Sequence, residues 1–415
     1  MATHSLITTL KNLRGNVRGC VYTEPLWGIP FNLYAPYASV YMLSFGIADS
    51  QIGLITSIGL VFQIFWTVMS GAITDKLGRK RTTLIFDLVS WSMPCLILAF
   101  AQNVAYFAAA AIVNSMWRVV HNSWQCLVVE DTDPDLLVDV YSWLYIAGLL
   151  SAFVAPLTGL LIERFTLAPT VRGLYLLAFV MMAVKAFITN AMVTETRQGL
   201  VRMQETRHLS LLTVLGGSRK VLGQILHAPA ALAAAGLLLI LSIYRMIQGT
   251  FWSILATEKL LIPAEHLAYY TSARSAAMLL FFFLVMPRIR HADTRKTMLV
   301  GFLGLLISQV LLVGVPVGSY GLLLIATILD ACSLPLASTM LEKLVVLTVD
   351  AQERSRIMAI LYTLVIAFTS PFGWIAGQIS DLDRSLPFVL LVVLMAIGGL
   401  LSYVAGRWVN PSKRA

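Results

Sequence analysis

The chain has 415 residues, of which 58% are hydrophobic and only 12% are charged. Soluble globular proteins carry about 25% charged residues, so this composition excludes an ordinary soluble fold and indicates an integral membrane protein. The formal net charge of +9 does not indicate nucleic-acid binding, because the cations lie in short segments between long apolar runs.

The apolar runs predict an all-α integral membrane protein with twelve transmembrane helices in two pseudo-symmetric six-helix bundles. A helix needs about 20 apolar residues to cross the hydrocarbon core, and the runs were counted on that scale. Spans 1 to 6 are expected at about 25–46, 51–73, 82–101, 104–128, 139–162 and 171–193. Spans 7 to 12 are expected at about 229–254, 266–287, 297–315, 320–345, 356–379 and 386–408.

A polar stretch separates the two sets of spans and divides the chain into three parts. We predict a first bundle at 1–193, a cytoplasmic linker with one or two surface helices at 194–228, and a second bundle at 229–415. Most lysines and arginines fall in segments that lie inside if both termini are cytoplasmic. We therefore expect a multi-pass protein of the cell membrane with both termini inside. Only four cations fall outside: Arg164, Arg172, Lys259 and Arg384.

A short basic loop follows span 2, with the sequence Gly71-Ala-Ile-Thr-Asp75-Lys-Leu-Gly78-Arg79-Lys80-Arg81. Glycine suits the bends of a loop that reverses the chain tightly, so Gly71 and Gly78 are expected at its two bends. Its clustered cations place it on the cytoplasmic side.

The second half of the chain echoes the first. Pro287–Lys296 follows span 8 as the basic loop follows span 2, and it keeps an acid before basic residues without the glycines. Acid-bearing loops begin at Glu130 after span 4 and at Asp350 after span 10. Two parallel six-span halves with a central linker, together with the loop pattern G-x-x-x-D-x-x-G-R-K-R, resemble transporters of the major facilitator superfamily.

That resemblance implies roles for the loop residues. Asp75 would be held at the start of span 11. A carboxylate is favourable there, because the N-terminus of a helix carries partial positive charge. The basic residues, Arg79, Lys80 and Arg81, would pair with an acid at the end of span 4, either Glu130 or Asp131. These contacts would lock the two halves on the cytoplasmic side when the carrier faces outward; the alternative is that the charges only set topology.

Polar residues inside the spans are candidates for the solute path, because a charge in the membrane costs several kcal/mol unless it is paired or faces water. In span 4, polar residues at i, i+4, i+7 and i+11 share one helical face. They either line a cavity or make buried structural hydrogen bonds. This stripe consists of Asn114, Arg118, His121 and Gln125. The other candidates are Asn32 in span 1 and Tyr244, Arg245 and Gln248 in span 7.

Asp330 is the carboxylate expected nearest to the middle of the membrane, in span 10. It either pairs with Arg245 or takes up a proton during transport. Arg274 in span 8 is expected at an entrance, and Lys185 in span 6 is expected to pack or to reach the interface. In the family that the chain resembles, spans 1, 4, 7 and 10 line the central cavity.

These features predict a secondary active transporter that moves a small polar or anionic organic solute by alternating access, with proton coupling left open. No nucleotide-binding loop is present, and no catalytic residues, metal site or cofactor are expected. The expected partners are the solute, protons and the lipid bilayer, and the protein is expected to be a monomer that does not bind nucleic acid. The alternatives are a multidrug exporter of hydrophobic compounds and, less favoured, a membrane enzyme or scramblase.

Overall fold

The computed structural model describes residues 6–208, 229–285, 288, 293–348 and 354–409. The described residues form helices joined by short turns. Ten of the helices are long and apolar enough to cross a membrane. Two further helices, each interrupted, complete the predicted set of twelve, so the all-α membrane fold is confirmed.

The two interrupted spans are spans 1 and 4. Span 1 runs from Gly15 to Tyr34, passes through a 3₁₀ turn at Ala35–Tyr37 and ends with a short helix at Ala38–Leu43. Prolines interrupt helical hydrogen bonding, and span 1 has them at positions 25, 30 and 36. Span 4 consists of Val104–Asn114 and Trp117–Val129, joined by one turn.

Span 1 begins about ten residues earlier than predicted. The hydropathy argument stopped at the charged residues before position 25, whereas the helix continues through Arg18 and Glu24. The expected start of span 1 was therefore wrong, and the correction moves a carboxylate into a membrane helix. The remaining spans of the first half are Asp49–Leu77, Arg79–Ala99 with a π-helical turn at Leu88–Ser92, Pro134–Phe165 and Leu167–Met192.

The linker contains one described helix, Arg197–Thr206, which we call the linker helix. The rest of the predicted linker, 209–228, lies outside the described residues, as do most of the loop after span 8 and residues 349–353 of the loop after span 10. The second half contains the helices Pro229–Ile254 with a π-helical turn at Leu255–Lys259, Ala264–Leu284, Thr294–Val313, Tyr320–Thr348, Arg354–Leu382 and Leu386–Val409.

By their internal contacts the residues form two compact units. The first unit contains Met1–Ala35 and Val61–Gly216, and the second contains Pro36–Leu60 and Gly217–Ala415. The C-terminal end of span 1 and the first part of span 2 thus pack with the second unit. The division into domains at 193 and 229 stays a prediction.

Small and hydroxyl-bearing residues bring span 1 close to span 6 in the first unit. The Thr23 and Thr189 hydroxyls are 2.7 Å apart, and the amide N–H of Thr194 donates to the Asn16 side chain at 2.8 Å. In lipid, helices associate through close packing and such hydrogen bonds, since the bilayer is as apolar as the side chains. An apolar cluster continues this contact to spans 4 and 5: Leu13, Val17, Cys20, Val21, Leu127, Val128, Val140 and Val193.

Glycines let two helices of the second unit touch through their backbones. A Cβ atom on Gly53 of span 2 would lie 2.3 Å from the carbonyl oxygen of Gly373 in span 11, and one on Gly377 would lie 2.7 Å from the Asp49 carbonyl oxygen. The Ser57 hydroxyl donates to the carbonyl of Ser370 at 2.5 Å. This is the small-residue packing that membrane helices use where they approach closely.

We expect Gly53→Ala to lower the thermal unfolding midpoint of the purified protein. The added methyl group would overlap the Gly373 carbonyl, and overpacking of this kind costs about 1–3 kcal/mol.

Gly173→Ala in span 6 is the matched control, because a Cβ there meets nothing within 4 Å. This change should leave the midpoint unchanged or raise it slightly, since alanine favours a helix over glycine by about 1 kcal/mol. Equal midpoints for the two variants would contradict the close contact.

Candidate functional site

The basic loop is shorter in the structure than in the sequence pattern. Span 2 stays helical to Leu77, and span 3 begins at Arg79. Gly78 alone reverses the chain, with φ of +85°, a backbone conformation that favours glycine. The expectation that Gly71 also forms a bend was wrong, because Gly71 lies within the helix of span 2. The helix extends to Leu77 because charged residues such as Asp75 and Lys76 can continue a helix outside the apolar core of the membrane.

Arg79 is the buried centre of this loop. Its guanidinium donates to the Glu130 carboxylate through Nε and Nη2 at 3.0–3.2 Å, and to Asp75 Oδ1 through Nη1 at 3.1 Å. Bidentate pairs between arginine and carboxylate are both strong and orientation-specific. The residue is only 4% exposed, so these bonds hold the ends of spans 2, 3 and 4 together.

The linker contacts the same loop. The sequence pattern did not predict this contact. The Glu195 carboxylate accepts the backbone N–H groups of Arg79 at 2.8 Å and Lys80 at 3.0 Å. Free N–H groups at a helix start favour a negative charge, so Glu195 caps span 3. In the linker helix, Arg202 pairs with Asp75 Oδ2 at 3.2 Å, and the Thr206 hydroxyl donates to the Asp75 carbonyl.

The other residues of the pattern lie at the edge of this network. Lys80 is half-buried, and Arg81 and Asp131 are exposed. The predicted contact of Asp75 with the start of span 11 stays a prediction, as does the role of the loop in gating.

We expect Asp75→Asn to reduce transport roughly tenfold while the protein still reaches the membrane. The change removes a carboxylate that holds two arginines, and a hydrogen bond to a charged group contributes about 1.5–3 kcal/mol. Uptake per mole of membrane-inserted protein measures the effect.

Asp131→Asn serves as the control, because that nearby carboxylate is exposed. A normal transport rate in Asp75→Asn would remove the gating role from the loop.

The polar residues of the span 4 stripe bind different neighbours. Asn114 donates to the carbonyl of Ser90 at 2.8 Å. The Tyr141 hydroxyl donates to the Gln125 side chain at 2.6 Å. Arg118 donates through Nε to the Gln63 amide oxygen at 3.2 Å, and its guanidinium carbon lies 4.1 Å from the centre of the Trp117 ring. Three of the four thus make interhelical bonds, and His121 faces a cavity.

That cavity lies within the first unit and has a volume of about 310 Å³. We call it the tryptophan cavity, because rings provide most of its wall. Neighbouring rings touch: Trp27 stacks on Phe31 at 4.9 Å between centroids and meets Trp91 edge-on at 5.1 Å. The lining residues are Glu24, Trp27, Phe31, Asp87, Trp91, Trp117, Val120, His121, Trp124 and Lys185.

A buried ion pair forms part of the wall of the tryptophan cavity. Lys185 Nζ lies 2.5 Å from Asp87 Oδ2, and both side chains are almost fully buried. Glu24 is near enough to interact electrostatically with both. Lys185 therefore packs inside the protein, as one of the two expectations had it, and it does so as half of an ion pair. An ammonium in the membrane needs a partner, and span 3 provides one.

A second cavity lies within the second unit, has a volume of about 130 Å³ and centres on Asp330. Tyr244 donates its hydroxyl to the Asp330 carboxylate, and Gln309 donates to the same oxygen at 3.3 Å. Gln248 donates to the Gln309 side chain at 3.0 Å. The lining residues, from spans 7 to 10, are Gln248, Trp252, Tyr270, Thr271, Arg274, Ser308, Gln309, Leu312, Ala326, Thr327 and Asp330.

The structure gives Asp330 a different partner from the one expected. Arg274 Nη2 lies 3.1 Å from Asp330 Oδ2, whereas Arg245 is exposed and does not line this cavity. The Arg274 side chain is about one-third exposed, so it presents charge to the cavity while it neutralises Asp330. Asn32 lies in span 1 and donates to the carbonyl of Gly28 in its own helix at 2.8 Å.

The sequence reasoning did not assign several residues of these cavities to a site. Glu24 lies just before the expected start of span 1, and Asp87 was not among the candidate residues. Gln309 was not considered, although an amide in an apolar run is a signal that could have been used. Among the described residues, no group of three or more His, Cys, Asp or Glu side chains could hold a metal ion.

We expect Lys185→Met to destabilise the protein by about 3–5 kcal/mol, because it leaves the Asp87 carboxylate buried without its cation. Denaturant or thermal unfolding of the purified protein measures this loss.

The double variant with Asp87→Leu and Lys185→Met should be more stable than the single variant, since no unpaired charge of the pair remains. A single variant as stable as the original protein would contradict the buried pair.

The fold and these two cavities define a membrane transporter, and a family model agrees. The model for the Major Facilitator Superfamily matches residues 27–257. The chain belongs to the major facilitator superfamily, and the predicted family is confirmed. It is a transporter and not an enzyme.

Solved structures with the same fold have distant sequences. The nucleoside transporter NupG has 13% identity and a TM-score of 0.72, with 94% of this chain and 98% of that chain covered. For the human organic anion transporter MFSD10 (TETRAN) the identity is 16% and the TM-score 0.65, with 93% and 98% covered. A POT family transporter in complex with 5-aminolevulinic acid has 13% identity and a TM-score of 0.71, with 97% and 100% covered. No curated protein matches the sequence.

Proposed function

We propose that the protein carries a small polar organic solute, anionic solutes included, across the cytoplasmic membrane by alternating access. The cavity around Asp330 is the observation that carries this proposal. Four helices contribute polar side chains to it, and Arg274, whose side chain is partly exposed, adds a cation to the lining. Convergent polar groups in a concave site are typical of solute binding.

Several features of similar proteins support the proposal. The structurally similar transporters include one for nucleosides, one for organic anions and one in complex with 5-aminolevulinic acid, and all of these solutes are polar. Their low identity to this chain limits the likeness to the fold. We further propose that both termini are cytoplasmic, since the cations of the chain are concentrated in the corresponding segments.

Proton coupling is part of the proposal. Asp330 lies between one cation, Arg274, and several neutral donors. A solute that draws Arg274 away would leave the Asp330 carboxylate without its cation, and loss of a neighbouring cation favours the neutral form of a carboxylate. Binding of the solute would thereby replace the ion pair between Arg274 and Asp330 with a protonated Asp330. Uptake of a proton would then accompany binding of the solute.

A multidrug exporter of hydrophobic compounds is the second candidate. The tryptophan cavity favours it, because its wall is mainly aromatic and offers few hydrogen bonds.

Thermal stabilisation of the purified protein by sugars, organic acids, amino acids and amphipathic drugs would identify the solute, because a ligand stabilises the state that it binds. Uptake of the stabilising solute into proteoliposomes would then test transport. We expect Asp330→Asn to abolish uptake driven by a pH gradient while solute exchange at equal pH continues, since an amide cannot take up the coupling proton.

Asp135→Asn is the matched control, because Asp135 is an exposed carboxylate at the start of span 5. Uptake that a pH gradient still drives in Asp330→Asn would exclude coupling through this residue. Stabilisation by hydrophobic drugs alone would favour the exporter.

A further inference from the structure

The tryptophan cavity has a composition that the proposed function does not yet explain. Five aromatic residues line it, and each ring is only partly buried: Trp27, Phe31, Trp91, Trp117 and Trp124. The face of an aromatic ring carries partial negative charge. Rings that converge on one space with their surfaces partly uncovered therefore attract cations rather than anions.

The charged groups of the cavity also favour a positively charged ligand. Asp87 and Lys185 neutralise each other at 2.5 Å. Glu24 adds a second carboxylate within electrostatic range of the same lysine, and among the described residues no further lysine or arginine lines the cavity. The lining thus has two carboxylates and one ammonium.

Arg118 is the nearest cation outside the lining, and it illustrates how these rings behave. Its guanidinium carbon lies 4.1 Å from the centre of the Trp117 ring, while Nε donates to Gln63. A protein cation thus already rests on one ring of this wall. The rings of Trp27, Phe31 and Trp91 contact one another, and Glu24 lines the same cavity.

We propose that the tryptophan cavity is a binding site for an organic ammonium group attached to an aromatic or other apolar body. Glu24 neutralises the ammonium, and the rings of Trp27, Phe31 and Trp91 surround it and its apolar body. The inference rests on the proposed function, since the ammonium is the polar group of the transported solute. The volume of about 310 Å³ lies at the lower end of the range for small-molecule sites and suits a small amine.

Phenethylammonium and 2-phenylethanol test the proposal as a matched pair, because they have the same carbon skeleton and differ in charge. Each is titrated at pH 7 and constant ionic strength against the purified full-length protein, with the shift of the thermal unfolding midpoint as the signal. We expect the dissociation constant of phenethylammonium to be at least tenfold lower than that of 2-phenylethanol.

Glu24→Gln should raise the dissociation constant of phenethylammonium roughly tenfold and leave that of 2-phenylethanol unchanged. Glu24→Asp, which keeps the charge, should retain most of the preference. Glu163→Gln is the control, because that exposed glutamate lies near the end of span 5 and outside the cavity. If Glu24→Gln does not fold, Trp91→Leu provides the second variant and should weaken phenethylammonium binding more than it weakens 2-phenylethanol binding.

Two results would overturn the proposal. The first is that the original protein binds the two compounds equally or binds neither. The second is that Glu24→Gln keeps the preference for phenethylammonium unchanged or, if that variant does not fold, that Trp91→Leu keeps it unchanged. The uptake panel separates this failure from failure of the proposed function. Uptake of a solute without an ammonium group, together with no binding of phenethylammonium, would refute the ammonium site and leave the transporter proposal intact. No uptake of any solute would refute the transporter proposal itself.

Discussion

A charge inside a membrane must find a partner, and both cavities of this protein form around such pairs. Lys185 meets Asp87 in the first unit, and Arg274 meets Asp330 in the second. Isolated, any of these four groups would cost several kcal/mol. When they are paired, these groups can remain in apolar helices, where they place polar atoms among otherwise apolar side chains. The helices around each pair must keep their rotation and depth to preserve it, so the pairs constrain both bundles.

The two pairs sit in different surroundings. The Asp330 pair is surrounded by hydrogen-bond donors, and both oxygens of its carboxylate have at least one of them as a neighbour. The Lys185 pair is surrounded by indole and phenyl rings and by a second carboxylate, Glu24. Hydrogen-bonded surroundings select by geometry, whereas aromatic surroundings select by charge and apolar area and tolerate differences in shape. The two units thus surround their ion pairs with different chemical groups.

Local properties of the sequence were sufficient to predict the helices but not their partners. Each span adds its own apolar residues, so span number and the position of the basic loop could be read segment by segment. The pairing of Asp330 with Arg274 instead of Arg245 depends on how neighbouring helices are rotated, which hydropathy does not record. Glu24 was missed for a related reason: a window that rewards apolar residues ends a span at a charge, although a paired charge can lie within the helix. Gly71 shows the opposite error, since a glycine next to a basic loop suggested a bend that the helix does not make.

The cap that Glu195 places on span 3 extends the first bundle beyond its membrane helices. Glu195 follows the end of span 6, and its carboxylate accepts two N–H groups at the start of span 3. The linker helix then adds Arg202 and Thr206 to Asp75. A fragment that stopped at Val193 would expose these N–H groups and leave Asp75 with one arginine. The smallest piece of the first half that keeps these bonds therefore reaches Thr206, and a protease cut for separating the halves belongs after that residue.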